Sequence, residues 1–392
     1  VANEDVVPFE VVLDPTSIDD LRARLRNTRW PERETVDDWS QGIPLAMVQD
    51  LVAYWCDEYE FDEATARLNA WPQFTTGIDD LTIHFVHARS PEPDAMPLVI
   101  SHGFPGSYVE FFQVLGALTD PVAHGGEAID AFHVVCPSLP GYGFSDRPSR
   151  RGRGLSWTAD AWATLMHRLG YERFGAQGGD WGSGVATVLG QTHRDHVVGI
   201  HLNMPTVPLG PLADDATDTE RKSVEDFEWH QRWGTGYQVQ QSTRPQTLGY
   251  SLVDSPVGQL AWIVEKFWAW TDCGGDPLNI FTREQLLDNV TVYWFTGTGA
   301  SSIRLYWESA GPAPPVDVAA AAAMAEPVTV PTGCSIFPRE IRRPSRRWAE
   351  QRFRNIHWWN ELPRGGHFAA FEQPALFVDE VRSSFRPLRS QR

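Results

Sequence analysis

The chain is expected to fold as an α/β protein, with a mostly parallel central sheet covered by helices on both faces, a helical cap insertion and a helical N-terminal extension. Three features of the 392-residue sequence predict this. Short apolar runs alternate with helical stretches, the order that builds parallel sheets. A turn crowded with glycine, Gln177-Gly178-Gly179-Asp180-Trp181-Gly182-Ser183, joins a strand-like run at 171–176 to a small-residue helical run at 185–190. After residue 204 the pattern becomes helical and aromatic, and strand-like runs return only near residue 328.

In order, 7–13 alternates as a strand does, and Asp14-Pro15-Thr16-Ser17 opens a helix over 18–26 with Ser17 as the expected cap. Further helical patterning covers 44–59 and 61–68, so residues 1–76 form an extension wrapped on the main domain. Strands are expected at 81–87 and 98–101, the second a continuous apolar run suited to burial on both faces. They open the core, 77–204, and are followed by strands at 132–136 and 197–202. The insertion spans 205–327 and reads as a cap, with the Pro- and Ala-rich stretch 311–327 as its exit linker. The core resumes over 328–392, with strands at 328–335 and 356–362.

Composition narrows the function. The chain is 42% hydrophobic and 21% charged, as ordinary globular proteins are. Its net charge of −18 argues against nucleic acid or an anionic membrane as a partner. Cys56, Cys136, Cys273 and Cys334 are far apart and suggest neither a zinc site nor a disulfide framework. The N-terminus is acidic and leads into no long apolar run, so neither a signal peptide nor a membrane span is expected. Seven tryptophans, from Trp229 to Trp307, crowd the cap and are expected to line a pocket for a bulky apolar substrate.

The turn around Asp180 has the setting of a nucleophile elbow, where small residues two before and two after the central side chain relieve a strained bend. A carboxylate there attacks a saturated carbon bearing a strained or good leaving group, which suits epoxides and alkyl halides. Ser183 is not the nucleophile, because Trp181 and Val185 stand where small residues are needed. His102-Gly103-Phe104-Pro105-Gly106-Ser107 ends the strand at 98–101 and suits a second oxyanion donor, so the N–H groups of Phe104 and Trp181 are assigned to the oxyanion hole. His367, just beyond the last strand, is the expected general base. Glu340 is the only carboxylate between Thr332 and Ala349, and it is assigned to orient His367. His193 and His196 have metal-ligand spacing, but without a third ligand a solvated helix end is the better reading.

Three segments carry a family resemblance: His102-Gly103-Phe104-Pro105, Gly178-Gly179-Asp180-Trp181-Gly182, and Arg364-Gly365-Gly366-His367-Phe368-Ala369-Ala370-Phe371-Glu372. They resemble those of the microsomal-type epoxide hydrolases. The similarity extends through Trp30-Pro31, Trp71-Pro72, Asp254-Ser255-Pro256-Val257-Gly258 and Glu265-Lys266-Phe267, nearly the whole chain. It implies an α/β-hydrolase fold and conversion of an epoxide to a vicinal diol through an ester on Asp180, with no metal or organic cofactor. It also implies two cap tyrosines that hold and protonate the epoxide oxygen. By their flanks, Gly236-Tyr237-Gln238 and Arg304-Leu305-Tyr306, these are Tyr237 and Tyr306; Tyr250 and Tyr293 are expected to pack. No segment matches the membrane-anchoring helix of the mammalian members, so a cytoplasmic location is expected. Bacterial relatives from actinomycete natural-product pathways, including enediyne assembly, are similar too. The partners implied are a small epoxide and water, with homodimerisation left open. Two alternatives stand beside this one: a haloalkane dehalogenase using the same aspartate, and an inactive hydrolase-fold binding protein.

Overall fold

The computed structural model describes residues 3–209, 211–312 and 325–391. Its frame is a nine-stranded sheet in the order β1-β2-β3-β5-β4-β6-β7-β8-β9. The strands are β1 (Val7–Phe9), β2 (Gln73–Ile78), β3 (Leu81–Ala88), β4 (Met96–Ser101), β5 (Phe132–Pro137), β6 (Phe174–Gly178), β7 (Val197–Leu202), β8 (Thr332–Ile336) and β9 (Ile356–Glu361). The first three are joined antiparallel, and β3 pairs antiparallel with β5. From β5 across to β9 every pairing is parallel. β4, β6 and β7 are central and almost wholly buried, which is why they are continuous apolar or small-residue runs without alternation.

Several elements differ from the expectation. β2 was not anticipated; it forms a hairpin with β3 through Asp79 and Asp80, with Asp79 at φ +53°. The sheet therefore begins inside the stretch expected to be helical. The first helix, α1 (Pro15–Arg26), starts earlier than expected and is capped by Asp14, whose side chain accepts from the Ser17 N–H. Proline at the first helical position has no N–H to satisfy and a preset φ, so the cap moves ahead of it. β6 begins at Phe174 because Tyr171 closes the end of the preceding helix, its N–H donating to Met166 O.

The next helices are α2 (Leu45–Asp57), α3 (Phe61–Leu68), α4 (Phe112–Thr119), α5 (Leu155–Arg168) and α6 (Asp180–Thr192). The insertion between β7 and β8 carries α7 (Asp218–Trp229), α8 (Gly236–Thr243), α9 (Pro245–Asp254), α10 (Pro256–Ala269), α11 (Arg283–Thr296) and α12 (Gly299–Ala310). Most of the linker expected at 311–327 lies outside the described residues.

The N-terminal helices meet the insertion as well as the core. Arg67 donates twice to the buried Asp288 of α11 at 2.8 Å, and Tyr59 donates to the same carboxylate at 2.5 Å. Trp55 donates to Thr291, and Trp39 stacks on Trp268 at 4.7 Å.

Candidate active site

β6 ends two residues before Asp180, and α6 begins at Asp180 itself, so the chain turns from strand to helix within one residue. The price is a left-handed backbone: Asp180 has φ +46°, a region that L-residues other than glycine rarely occupy. The bend brings α6 hard against β4. A Cβ on Gly182 would lie 1.9 Å from Ser101 O, so no larger residue fits two positions after Asp180. The bend lifts the carboxylate out of the sheet toward the loop after β4. Gly103 leaves room for it, since a Cβ there would lie 2.2 Å from Asp180 Oδ1.

Three groups meet this carboxylate. The Phe104 N–H donates to Oδ1 at 2.8 Å, and His367 Nε2 lies 3.5 Å from Oδ2. On its other side, His367 Nδ1 donates to Glu340 Oε1 at 2.7 Å, and the Ile341 N–H donates to the same oxygen. Glu340 is fully buried and forms no ion pair with Arg339, Arg342 or Arg343. Burial disfavours a charged His367, but the Glu340 charge and the bonds to Asp180 and Glu340 outweigh it and raise its pKa well above the ordinary value. The Trp181 N–H lies in the first turn of α6, where helical N–H groups have no acceptor within the helix.

Tyr237 on α8 and Tyr306 on α12 stand over the same carboxylate from the insertion. Their rings are 5.8 Å apart, edge to face; Phe104 stacks against Tyr237, and Trp181 meets Tyr306 at 4.7 Å. The Tyr306 hydroxyl is buried without a hydrogen-bond partner. A buried donor left free is costly and points to a ligand-facing role. Both phenols are pushed upward, first by burial and also by the Asp180 charge, so they stand as intact proton donors. Of the other two tyrosines, Tyr293 packs and donates to Gly106 O at 2.8 Å, steadying the loop after β4. Tyr250 is 71% exposed and does not pack as expected, because its face of α9 meets solvent.

Asp180 separates two cavities. One of about 260 Å³ is lined by Asp180, Trp181, Tyr237 and Tyr306. Behind the carboxylate, a second of about 20 Å³ is lined by Glu110, Gln177, Asn203 and His367. That exceeds the ~10–15 Å³ one water needs. Burial pushes the Glu110 carboxyl up to about 8, so it is a neutral donor at physiological pH.

The tryptophan expectation is overturned. Trp229 and Trp233 are 62% and 66% exposed, Trp268 stacks on Trp39, and Trp307 lies under Arg151. Only Trp270 reaches the site, against His367 and Tyr237, because the others serve helix packing or face outward. Sequence reasoning missed Lys266, whose ammonium sits 4.7 Å over the Tyr237 ring and pairs with Glu265. The signal was available: it is one of two lysines in the chain, set with Glu265 in a mostly apolar helix. His193 pairs with Asp160, while His196 meets His167 at 3.0 Å and, with Glu172, forms a surface group remote from Asp180.

Comparison with known proteins agrees with this geometry. Residues 6–111 match the epoxide hydrolase N-terminus family and residues 96–238 the α/β-hydrolase fold. A Stigmatella aurantiaca protein, provisionally described as an epoxide hydrolase, is 49% identical over 98% of this chain and 86% of its own length. Epoxide hydrolase 1 of Sus scrofa is 34% identical, over 99% and 90%. The crystal structure of juvenile hormone epoxide hydrolase from Bombyx mori superposes with a TM-score of 0.89 at 28% identity, covering 100% of this chain and 96% of that one. No helix among the described residues is long and apolar enough to cross a membrane. With an aspartate rather than a serine at the strained turn and relatives matched over nearly all of its length, the chain belongs to the epoxide hydrolases of the α/β-hydrolase fold and is an enzyme that adds water to a small epoxide.

Proposed function

We propose that hydrolysis runs through a covalent ester on Asp180, with each predicted residue in a defined role. The observation that carries this is the placement of one carboxylate between two tyrosines on one side and a carboxylate-backed histidine on the other. Asp180 attacks an epoxide carbon held in the larger cavity, while Tyr237 and Tyr306 donate to the oxygen, whose alkoxide is too basic to leave unassisted. The ester carbonyl is Oδ1, which Phe104 N–H already holds; Trp181 N–H is the second oxyanion donor. His367 then takes a proton from a water in the small rear cavity, and that water cleaves the ester.

The charge arrangement supports this order. In the resting enzyme His367 is held as a cation between Asp180 and Glu340. Esterification removes the Asp180 charge, which lowers the imidazole's hold on its proton; that proton passes through solvent to replace the one the tyrosines give to the opened oxygen, and leaves His367 a neutral base once there is an ester to hydrolyse.

In a single turnover in ¹⁸O water, the oxygen added to the diol should be unlabelled, having come from Asp180, while the label enters the enzyme. Label in that first diol would rule out the ester. Tyr237→Phe and Tyr306→Phe are each expected to lower kcat/KM about 10–100-fold, and the double variant about 10³-fold or more. A fully active double variant would remove the tyrosines from the chemistry.

The substrate belongs to the bulky apolar epoxides in this reading; a 260 Å³ cavity beneath a helical cap supports it. The division into extension (1–76), core (77–204 and 328–392) and cap (205–327) is part of the same proposal. It is supported by the two tyrosines, which come from the insertion, and the nucleophile, which comes from the core. Four free, buried cysteines support a cytoplasmic location.

A further inference from the structure

The 260 Å³ cavity over Asp180 adjoins an outer one of about 810 Å³, walled by Val207, Leu209, Val224 and Phe227. Thr206, Arg342 and Arg352 line both and so mark the junction. Arg352 is engaged there, donating to Thr206 O at 2.8 Å. Arg342 is different. Its neighbours in sequence are all occupied: Arg339 pairs with Asp272, Arg343 with Asp226, Arg346 with Glu350, and Arg347 with Asp215 and Glu220. Arg342 itself is half-buried and makes no ion pair or hydrogen bond among the described residues. Its guanidinium lies over the face of Phe227, 5.1 Å from the ring centroid, and the Glu340 charge acts on it without a bond between them.

A guanidinium stacked on an aromatic ring keeps its in-plane N–H groups free, and those form the fork that fits a carboxylate in two parallel bonds. Leaving such a cation partly desolvated and unpaired costs free energy that a ligand anion would recover. Burial already weakens its hold on the proton. The surrounding charges favour an anion too. Lys266 and Glu265 pair with each other, Glu340 is taken by His367, and burial lowers His230 to about 4 and leaves it neutral, so Arg342 and Arg352 are the cations that line the junction. Glu228 lines the outer cavity but does not pair with Arg342. The protein carries a net charge of −18. A local cationic point in the cavity that reaches both Asp180 and the tyrosines therefore selects for one kind of substrate group.

We propose that Arg342 binds a carboxylate on the substrate, remote from the oxirane, so that the enzyme's preferred substrates are apolar epoxides bearing an acid group. The inference rests on epoxide opening at Asp180 and deepens it: the apolar body fills the inner cavity, the oxirane meets the tyrosines, and the acid is held at the junction.

The test compares each acid with its methyl ester in two skeletons of different length, 4-(oxiran-2-yl)benzoic acid and 10,11-epoxyundecanoic acid. Wild type should turn over at least one acid with kcat/KM about tenfold or more above its ester, as charged hydrogen bonds predict. Apolar burial alone would favour the ester. In Arg342→Gln the acid-to-ester ratio should fall toward one, and in Arg342→Lys it should be partly kept. Because the readout is a ratio, a general loss of folding or of chemistry cancels from it. As a measurement independent of any variant, undecanoate should inhibit wild-type turnover of styrene oxide competitively and more strongly than undecanol. Diol formation from both skeletons without acid preference, or an unchanged ratio in Arg342→Gln, overturns the role of Arg342 alone. No diol from any epoxide overturns the reading of Asp180 and this one with it.

Discussion

Asp180→Ala should lower diol formation by at least about four orders of magnitude, because removing the nucleophile of a covalent mechanism leaves only binding and polarisation. Alanine at this position also carries a structural cost. The backbone at φ +46° is left-handed, and a residue without a locally bonding side chain pays about 1–2 kcal/mol there. Part of any loss in that variant could therefore be a shifted turn. Asp180→Asn separates the two effects, since asparagine tolerates the left-handed region and keeps the shape of the side chain. It should fold as wild type does and be inactive when freshly prepared. Activity that grows over hours would mark hydrolysis of the amide back to aspartate and would be matched by a gain of one mass unit. Immediate activity above about a tenth of wild type would place the nucleophile elsewhere.

His367→Gln should stop the reaction one step later. Alkylation needs Asp180, Tyr237 and Tyr306, all of which remain, so the enzyme should consume about one equivalent of epoxide and then stall. Intact-protein mass spectrometry should show an adduct equal to the mass of the substrate, with steady turnover down about 10³-fold or more. A stalled enzyme without an adduct would mean that His367 acts before the ester exists. The same variant has a stability signature. Wild-type His367 has a raised pKa in the fold, so its stabilising contribution is fully present below the ordinary value of about 6.5 and is lost as pH rises through the folded value. Denaturation curves of wild type and variant should thus lie furthest apart in mild acid and converge in alkali.

What the sequence reveals of this site depends on how local each constraint is. The bend at Asp180 is legible because the steric demand falls on neighbours two residues away, and Gly182 has no alternative with Ser101 O so near. His367 and Glu340 are placed by chain order, since each follows a strand whose end the fold brings to one edge of the sheet. Tyr237 and Tyr306 are not derivable that way. They come from an insertion whose helices meet the site only in three dimensions, and resemblance alone singled them out. The tryptophan count misled for the same reason, because composition does not say which face of a helix is turned inward. Lys266, Arg342 and Glu110 went unnoticed because their significance lies in what surrounds them: a phenol ring, the lack of a bonded counter-charge, and the small cavity behind the nucleophile. β2 was hidden by composition: Gln-Phe-Thr-Thr-Gly-Ile offers neither an apolar run nor a clean alternation, and it follows directly on helical patterning.

The bonds from Tyr59 and Arg67 to Asp288 have a bearing on how the two tyrosines are held over the nucleophile. α11 is fixed through them to a segment that itself continues into the antiparallel edge of the sheet, so the roof and the floor of the reaction chamber share one brace. Their separation is then set by that brace as well as by the two chain crossings at either end of the insertion. A roof braced in this way leaves the wide mouth flanked by Phe227, which shares Thr206, Arg342 and Arg352 with the chamber over the carboxylate, as an entrance that asks no lifting of the helices.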